Sequence, residues 1–291
     1  MSSKNNSDDE KTSVSLYYFE EDVFDRTRRF FGDDKLNIIR RSKVLLVGAG
    51  AVGNEVAKNL GLLGIGQLNL VDYDMVTKSN LNRCVFFRPQ DHMKKYKVEA
   101  LAERLGEISN TKVKFFIGKI EEAPNTIWDV DLIAVAVDNN YARWFINAKN
   151  LSLENPLPMV NGAMGREFVQ VDVLFPPYTA CLTCSWSEDY YRQIIQGAVY
   201  EKCDNFFIDT LPKFPAISFA TSLVGAIMSV EIVKILVGLS KFKKDRKWEP
   251  NFEPLVGMSI KYDFVKHNIS LYKLNKNPDC VEPLCRKNIE Y

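Results

Sequence analysis

The run KVLLVGAGAVG, Lys43 to Gly53, most constrains what this chain can become: a short apolar strand stops at a glycine turn and passes at once into a helical pattern. That order opens a βαβ unit. Gly48 allows the tight turn, Gly50 lets the backbone approach a phosphate, and Gly53 lets helix and strand pack closely, while the helix N-terminus favours an anion. Gln67–Asp72 supplies the returning strand, and Asp72 stands 19 residues beyond Gly53. A carboxylate at that place accepts from ribose hydroxyls. The turn, Gly48, Gly50, Ala51 and Gly53, is therefore a nucleotide cradle, and so far it fits NAD as readily as ATP.

Apolar runs and helical spacing alternate along the rest of the first half: a helix over 52–63, another over 95–108, a strand at 112–117, and a fully apolar strand over 131–137 of the kind buried on both faces. Beyond Pro156 the pattern changes to a strand at 169–175, a long helix from Ala216, and a hairpin-like pair at 258–264 and 267–274. The fold class expected is α/β, a doubly wound, mostly parallel Rossmann-like sheet extended by antiparallel strands. Residues 1–15 are polar and read as a disordered tail. Residues 16–291 read as one domain, with a nucleotide-binding half at 16–155 and a substrate and metal half at 156–291.

Composition narrows the classes of function. The 291 residues are 46% hydrophobic and carry a formal net charge of +1, enough apolar material for a full core and too little charge for a broad nucleic-acid or anionic-membrane footprint. The N-terminus lacks the apolar core of a secretory signal, so a cytoplasmic setting with six reduced cysteines is expected. The apolar stretch 216–238 has the length of a membrane span but contains Glu231, Lys234 and several hydroxyl residues, which favours a buried core or interface helix.

The segment after Asp72 separates the nucleotides. DYDMVTKSNLNRC adds Asp74, Ser79 and Asn80, and the chain from Arg83 to Lys97 then holds five cations, Arg83, Arg88, Lys94, Lys95 and Lys97, against the single acid Asp91. Such a patch suits a triphosphate better than the pyrophosphate of NAD, whose charge the glycine turn already balances.

GAGAVG, LVDYD, SNLNR, the Lys97-Val98-Glu99-Ala100 helix start and AVDNNYAR together resemble the ubiquitin-activating-enzyme superfamily that includes the MoeB and ThiF adenylyltransferases, in order and spacing over nearly all of Arg41 to Cys285. The resemblance implies that Asp72 of the Asp72/Asp74 pair holds ribose, that Ser79 to Arg83 and Lys97 hold phosphates, and that Asp138 with Asn139 holds Mg2+ and the triphosphate. It implies adenylation of the C-terminal glycine of a ubiquitin-like or sulfur-carrier protein with a diglycine tail, followed by transfer to a cysteine thiol as a thioester. That chemistry needs no general base, because an ionised carboxylate is the nucleophile; Arg83, Lys97 and Asp138 then carry the catalysis as charge stabilisers. Neither His92 nor His267 stands in a motif. The chain departs from the family in having Ala51 where another glycine is common and Cys84 in place of the usual glutamine. The resemblance also implies an N-terminal arginine reaching a partner subunit's ATP, for which Arg28 and Arg29 are the candidates.

Two cysteine pairs follow, Cys181/Cys184 in CLTC and Cys280/Cys285 in CVEPLC. A CxxC knuckle turns two thiolates to one side, and a second pair alongside completes a tetrahedral structural Zn2+ site, as family members do from two distant pairs; here the second pair has four intervening residues. Cys203 matches the position of the family's acyl-accepting or persulfide-forming cysteine, with Lys202 favouring the thiolate and Glu201 and Asp204 opposing it. Competing readings are a sulfur-carrier adenylyltransferase with no thioester step, a relative that activates a carboxylate on modified tRNA, a scaffold subunit without activity, and an NAD-dependent dehydrogenase. A homodimer is expected from the long apolar helix and the family pattern.

Overall fold

A computed structural model describes residues 23–204 and 216–287, with backbone alone over 198–204. The expected tail at 1–15 lies outside the described residues, as does the start of the expected domain at 16–22. Two short helices, α1 (Asp25–Phe31) and α2 (Asp33–Arg41), lead into β1 (Lys43–Val47), α3 (Ala51–Leu63) and β2 (Gln67–Asp72). There follow α4 (Lys97–Ile108), β3 (Lys112–Ile117), β4 (Leu132–Val135), α5 (Asn140–Leu151), β5 (Met159–Met164) and β6 (Phe168–Leu174). The remainder comprises α6 (Glu188–Asp204), α7 (Ser218–Asp245), β7 (Met258–Asp263), β8 (Asn268–Lys273) and α8 (Pro283–Lys287).

The eight strands form one sheet in the order β3-β2-β1-β4-β5-β6-β7-β8. Pairing is parallel from β3 to β5 and antiparallel from β5 to β8. This is the doubly wound sheet with an antiparallel extension that the sequence predicts. β4 is shorter than expected, four residues, all buried, because the chain beyond Val135 turns away to begin the α5 cap. β1 and β4 are apolar throughout their buried length, as strands covered on both faces must be. β3 lies at the sheet edge, with Phe115 and Ile117 exposed and Lys112 at its start, a charged edge that discourages further strand pairing.

One core packs α3, α4 and α7 on one face of the sheet, with Val44, Leu46, Leu60, Leu68, Leu101, Val224 and Ile232 buried together. A second core on the opposite face joins Leu45, Val47, Ile133, Ile146 and Met159. α7 runs across α3, β5 and β6. Close approach is built in: Gly225 backs onto the Cβ of Glu55, and Gly162 lies under Met228. By length and composition α7 has the makings of a membrane span, yet 67% of its apolar window is buried inside the protein. Its internal charges have partners, since Glu231 accepts from the Leu255 backbone N–H at 2.6 Å and from Lys234 Nζ at 3.1 Å. It is a core helix.

Candidate active site

Strand order reverses direction between β1 and β4, and the crevice at their carboxyl ends is where α/β sheets bind ligands. The glycine turn sits there. Gly48 has φ +97°, and a Cβ on it would stand 2.5 Å from the Ala136 carbonyl oxygen; a Cβ on Gly53 would overlap the Gly48 carbonyl oxygen. A Cβ on Gly50 meets no atom within 4 Å. Two glycines thus close the turn against the protein and one leaves its backbone open toward the crevice. Gly53→Ala is therefore expected to cost on the order of 3 kcal/mol of stability through backbone overlap. Gly50→Ala is expected to leave the melting temperature near wild type and to weaken the thermal shift given by Mg-ATP. Equal melting of both variants in a calorimeter would contradict this.

Asp72 closes the turn. Its Oδ2 accepts from Ala49 N at 2.7 Å and its Oδ1 from Asp74 N at 2.8 Å, leaving lone pairs on both oxygens for a further donor. Burial pushes the Asp72 carboxyl above its ordinary pKa, opposed by the Lys97 charge and the two backbone donors. Lys97, the first residue of α4, puts its Nζ 2.5 Å from Asp74 Oδ2. Burial works against this ammonium, but Asp72 and Asp74 outweigh it and hold its pKa above the usual value.

The cations after Asp72 do not act as one patch. Lys95 is paired with Glu103, and Arg88 donates to the Val85 and Phe87 carbonyls. Arg83 donates to the Ser79 carbonyl and to Asn82 Oδ1 at 3.1 Å, and it makes no ion pair among the described residues. Asn80 is buried and turns inward, its Oδ1 accepting from Thr77 N at 2.9 Å; it shapes the loop that carries Ser79 and Arg83. Asp91, the lone acid of the segment, is withdrawn from the surface onto Arg104 at 3.0 Å, both buried, and its Oδ2 accepts from Arg88 N at 2.7 Å. Burying the one acid leaves the outward charge of the loop positive.

Asp138 follows β4 and is exposed. Asn139 caps α5, its Oδ1 accepting from Ala142 N at 2.7 Å. Three residues that sequence reasoning passed over hold these parts together. Asn54, fully buried in α3, donates to the Ala49 and Gly50 carbonyls and accepts from Phe86 N at 3.0 Å, so it ties the glycine turn to the Arg83 loop. Arg143 joins the loop after β4 to β5. Asn147 receives Leu182 N at 3.0 Å, fastening the cysteine knuckle to α5. An amide directly after GAGAVG was the available signal for Asn54, and the arginine that closes AVDNNYAR was the signal for Arg143; the partner of Asn147, Leu182, lies 35 residues away, too far to be foreseen.

The candidate arginines for a neighbouring subunit are engaged locally, Arg28 with Asp33 at 3.0 Å and Arg29 with Asp25 at 3.0 Å. Cys203 falls in the last turn of α6, where side chains lie outside the described residues.

The two cysteine pairs meet. Cys181 Sγ lies 3.7 Å from Cys280 and 3.7 Å from Cys184, and Cys184 lies 3.6 Å from Cys285. All four ligand atoms fall within 4.8 Å of one another and all four residues are buried. A tetrahedral ion with bonds of about 2.3 Å to sulfur needs sulfurs roughly 3.8 Å apart, so the donor set and spacing fit one such ion, and the separations are too long for disulfides.

Comparison with known proteins places this geometry. The model of the ThiF family matches residues 24–282. The Thermus thermophilus sulfur carrier protein adenylyltransferase is 26% identical over 265 residues, covering 87% of this chain and 88% of that protein. Human ubiquitin-like modifier-activating enzyme 6 is 32% identical over 171 residues, covering 54% of this chain; the chain spans 16% of the length of that enzyme. A crystal structure of Escherichia coli MccB with ATP superposes with a TM-score of 0.69 at 18% identity, over 96% of this chain and 82% of that one, a likeness of fold. With the family model matching from α1 through Cys280, this chain belongs to the ThiF family.

Proposed function

We propose that the chain uses Mg-ATP to adenylate the C-terminal glycine carboxylate of a ubiquitin-like or sulfur-carrier protein with a diglycine tail. The observation that carries this reading is the joining of the glycine turn, Asp72 and Lys97 in one hydrogen-bonded and charged assembly, beside an Arg83 that pairs with no acid among the described residues.

In this reading Gly48, Gly50, Ala51 and Gly53 back the nucleotide, Asp72 accepts from the ribose, and Ser79, Arg83 and Lys97 face the phosphates. Asp74 holds Lys97, and Asn80 sets the loop. Magnesium takes one or two carboxylates together with phosphate oxygens, and Asp138, exposed beside the Asn139 cap, fits as its protein ligand. When bound, the ion supplies neutralising charge on the phosphate oxygens. The substrate carboxylate oxygen bonds to the α-phosphorus as the bond from that phosphorus to the bridging oxygen breaks, and pyrophosphate departs with the electron pair. No proton moves. Arg83 and Lys97 lower the repulsion between the two anions and stabilise the leaving group.

The match to the Thermus protein over 88% of its length supports a sulfur-carrier substrate; transfer of the activated acyl group to the Cys203 thiol, with AMP leaving, is the next step, and release without a thioester is the alternative. Zinc at Cys181, Cys184, Cys280 and Cys285 is structural, and the enzyme works in the reducing cytoplasm. A homodimer is supported by the outer face of α7, where Phe219, Leu223, Ala226 and Val230 recur at helical spacing, Phe219 59% and Val230 52% exposed.

ATP–pyrophosphate exchange that depends on a diglycine-ended protein is the expected result. Thermal stabilisation by NADH and none by Mg-ATP would overturn the reading. For the acceptor, Cys203→Ala is expected to abolish a reducible conjugate with the activated protein; full yield from the variant would leave adenylation standing and remove the thioester step.

A further inference from the structure

Arg143, at the end of AVDNNYAR, has no part in the proposed chemistry so far. The ladder between β4 and β5 ends at Val135↔Asn161. Past that pair the strands part, one toward Asp138 and the other toward Gly162. The guanidinium of Arg143 spans the gap: its Nη2 donates to the Val137 carbonyl at 2.5 Å and to the Gly162 carbonyl at 3.0 Å. Its Nε is buried with no partner, as is Oδ1 of Asn161 beside it in sequence to Gly162. Asn161 Nδ2 in turn donates to Asp172 Oδ2 at 2.9 Å. Burial pulls the guanidinium below its ordinary pKa, opposed by the charges of Asp172 and Asp138.

A clamp needed only to close the sheet is served by a neutral amide at lower desolvation cost. A planar guanidinium bridging the Val137 and Gly162 carbonyls holds the two segments in one fixed geometry. Val137 directly precedes Asp138, so its carbonyl fixes the peptide plane from which the Asp138 carboxylate emerges. We propose that Arg143 is a positioning residue for the metal and phosphate site, holding Val137 to Gly162 across the parted ends of β4 and β5 so that the Asp138 carboxylate is set to receive a divalent cation. The assignment of that cation and its triphosphate rests on the adenylation reading. Groups one step removed from a metal typically change its affinity by 10–100-fold when altered, roughly.

The test uses the full chain loaded with ATP, titrated with Mg2+ and followed by calorimetry and by melting temperature, for wild type and Arg143→Lys. The lysine keeps the charge and loses the fork. The half-saturating Mg2+ concentration is expected to rise roughly 10-fold or more, while affinity for metal-free ATP changes less than about threefold. An unchanged Mg2+ requirement, or an equal loss of metal-free ATP affinity, would overturn the proposal. If the lysine variant does not melt cooperatively, Arg143→Gln, whose amide still donates to a carbonyl, is measured in its place against the same two outcomes. Wild-type protein that binds no Mg-ATP would instead sink the adenylation reading itself.

Discussion

Arg83→Glu is expected to slow ATP–pyrophosphate exchange by at least about a hundredfold, toward a thousandfold, while the protein melts close to wild type; loss of one preorganised donor to a developing anion alone costs this much. The reasoning turns on partners. Lys95 and Lys97 are each paired with an acid, Glu103 and Asp74, and Arg88 is spent on two carbonyls. Among the described residues Arg83 donates only to the Ser79 carbonyl and Asn82 within its own loop, so it brings a charge to the crevice that no described acid pairs with. A glutamate there faces the phosphates with the wrong sign and leaves the buried loop contacts of Asn80 and Asp91 in place. Lys95→Ala is the matched control: it removes a cation from the same segment but one tied to an exposed acid, and exchange should stay within about twofold, since exposed pairs contribute little. Equal losses in the two variants would show that the segment acts through bulk charge and that Arg83 has no individual role.

This distinction among cations was not legible in the sequence, where the five read as one trail. What pairs a side chain is the fold: Glu103 lies eight residues from Lys95, and Asp74 lies 23 residues from Lys97. The strands were far more legible. β1, β2 and β3 begin and end where the sequence reading puts them: β1 and β2 are almost wholly buried, and the exposed edge strand β3 is marked by its β-branched and aromatic residues Val113, Phe115, Phe116 and Ile117. β5 escaped notice because MVNGAM carries Asn161 and Gly162, both at the parting of the strands where Arg143 and Asp172 need polar contacts. α5 escaped for a related reason. Its inward face includes Asn147 and Asn150, each 1% exposed, which bond to Leu182, Leu157 and the knuckle and so hide the helical period. Residues that serve the site break the patterns by which elements are recognised.

The cysteine cluster was legible because local spacing marks each pair and the family resemblance joins the two, and it gives the second large effect. Cys280→Ser is expected to release the bound zinc and lower the melting temperature by about 10 °C or more, the loss of several kcal/mol in a chain of this size. The pairs lie about a hundred residues apart in sequence, 99 between Cys181 and Cys280. Around them the local core is small: Leu151 and Ala180 with the four cysteines, and Leu274 and Leu284 at its margin. Little apolar surface otherwise fastens α8 and the chain after β8 to α5, so an ion held by the four cysteines would carry most of that attachment. Thiolates are the ligands, so acidification protonates them and the site empties as pH falls. Cys84→Ser is the control. Cys84 is buried 3% exposed against the glycine-turn core, with burial pushing its thiol up to about 11, and its replacement should cost only about 1–2 kcal/mol with zinc retained in full. Freshly purified, chelator-free protein without stoichiometric zinc would remove the metal, and a melting curve for Cys280→Ser that matches Cys84→Ser would remove its structural role.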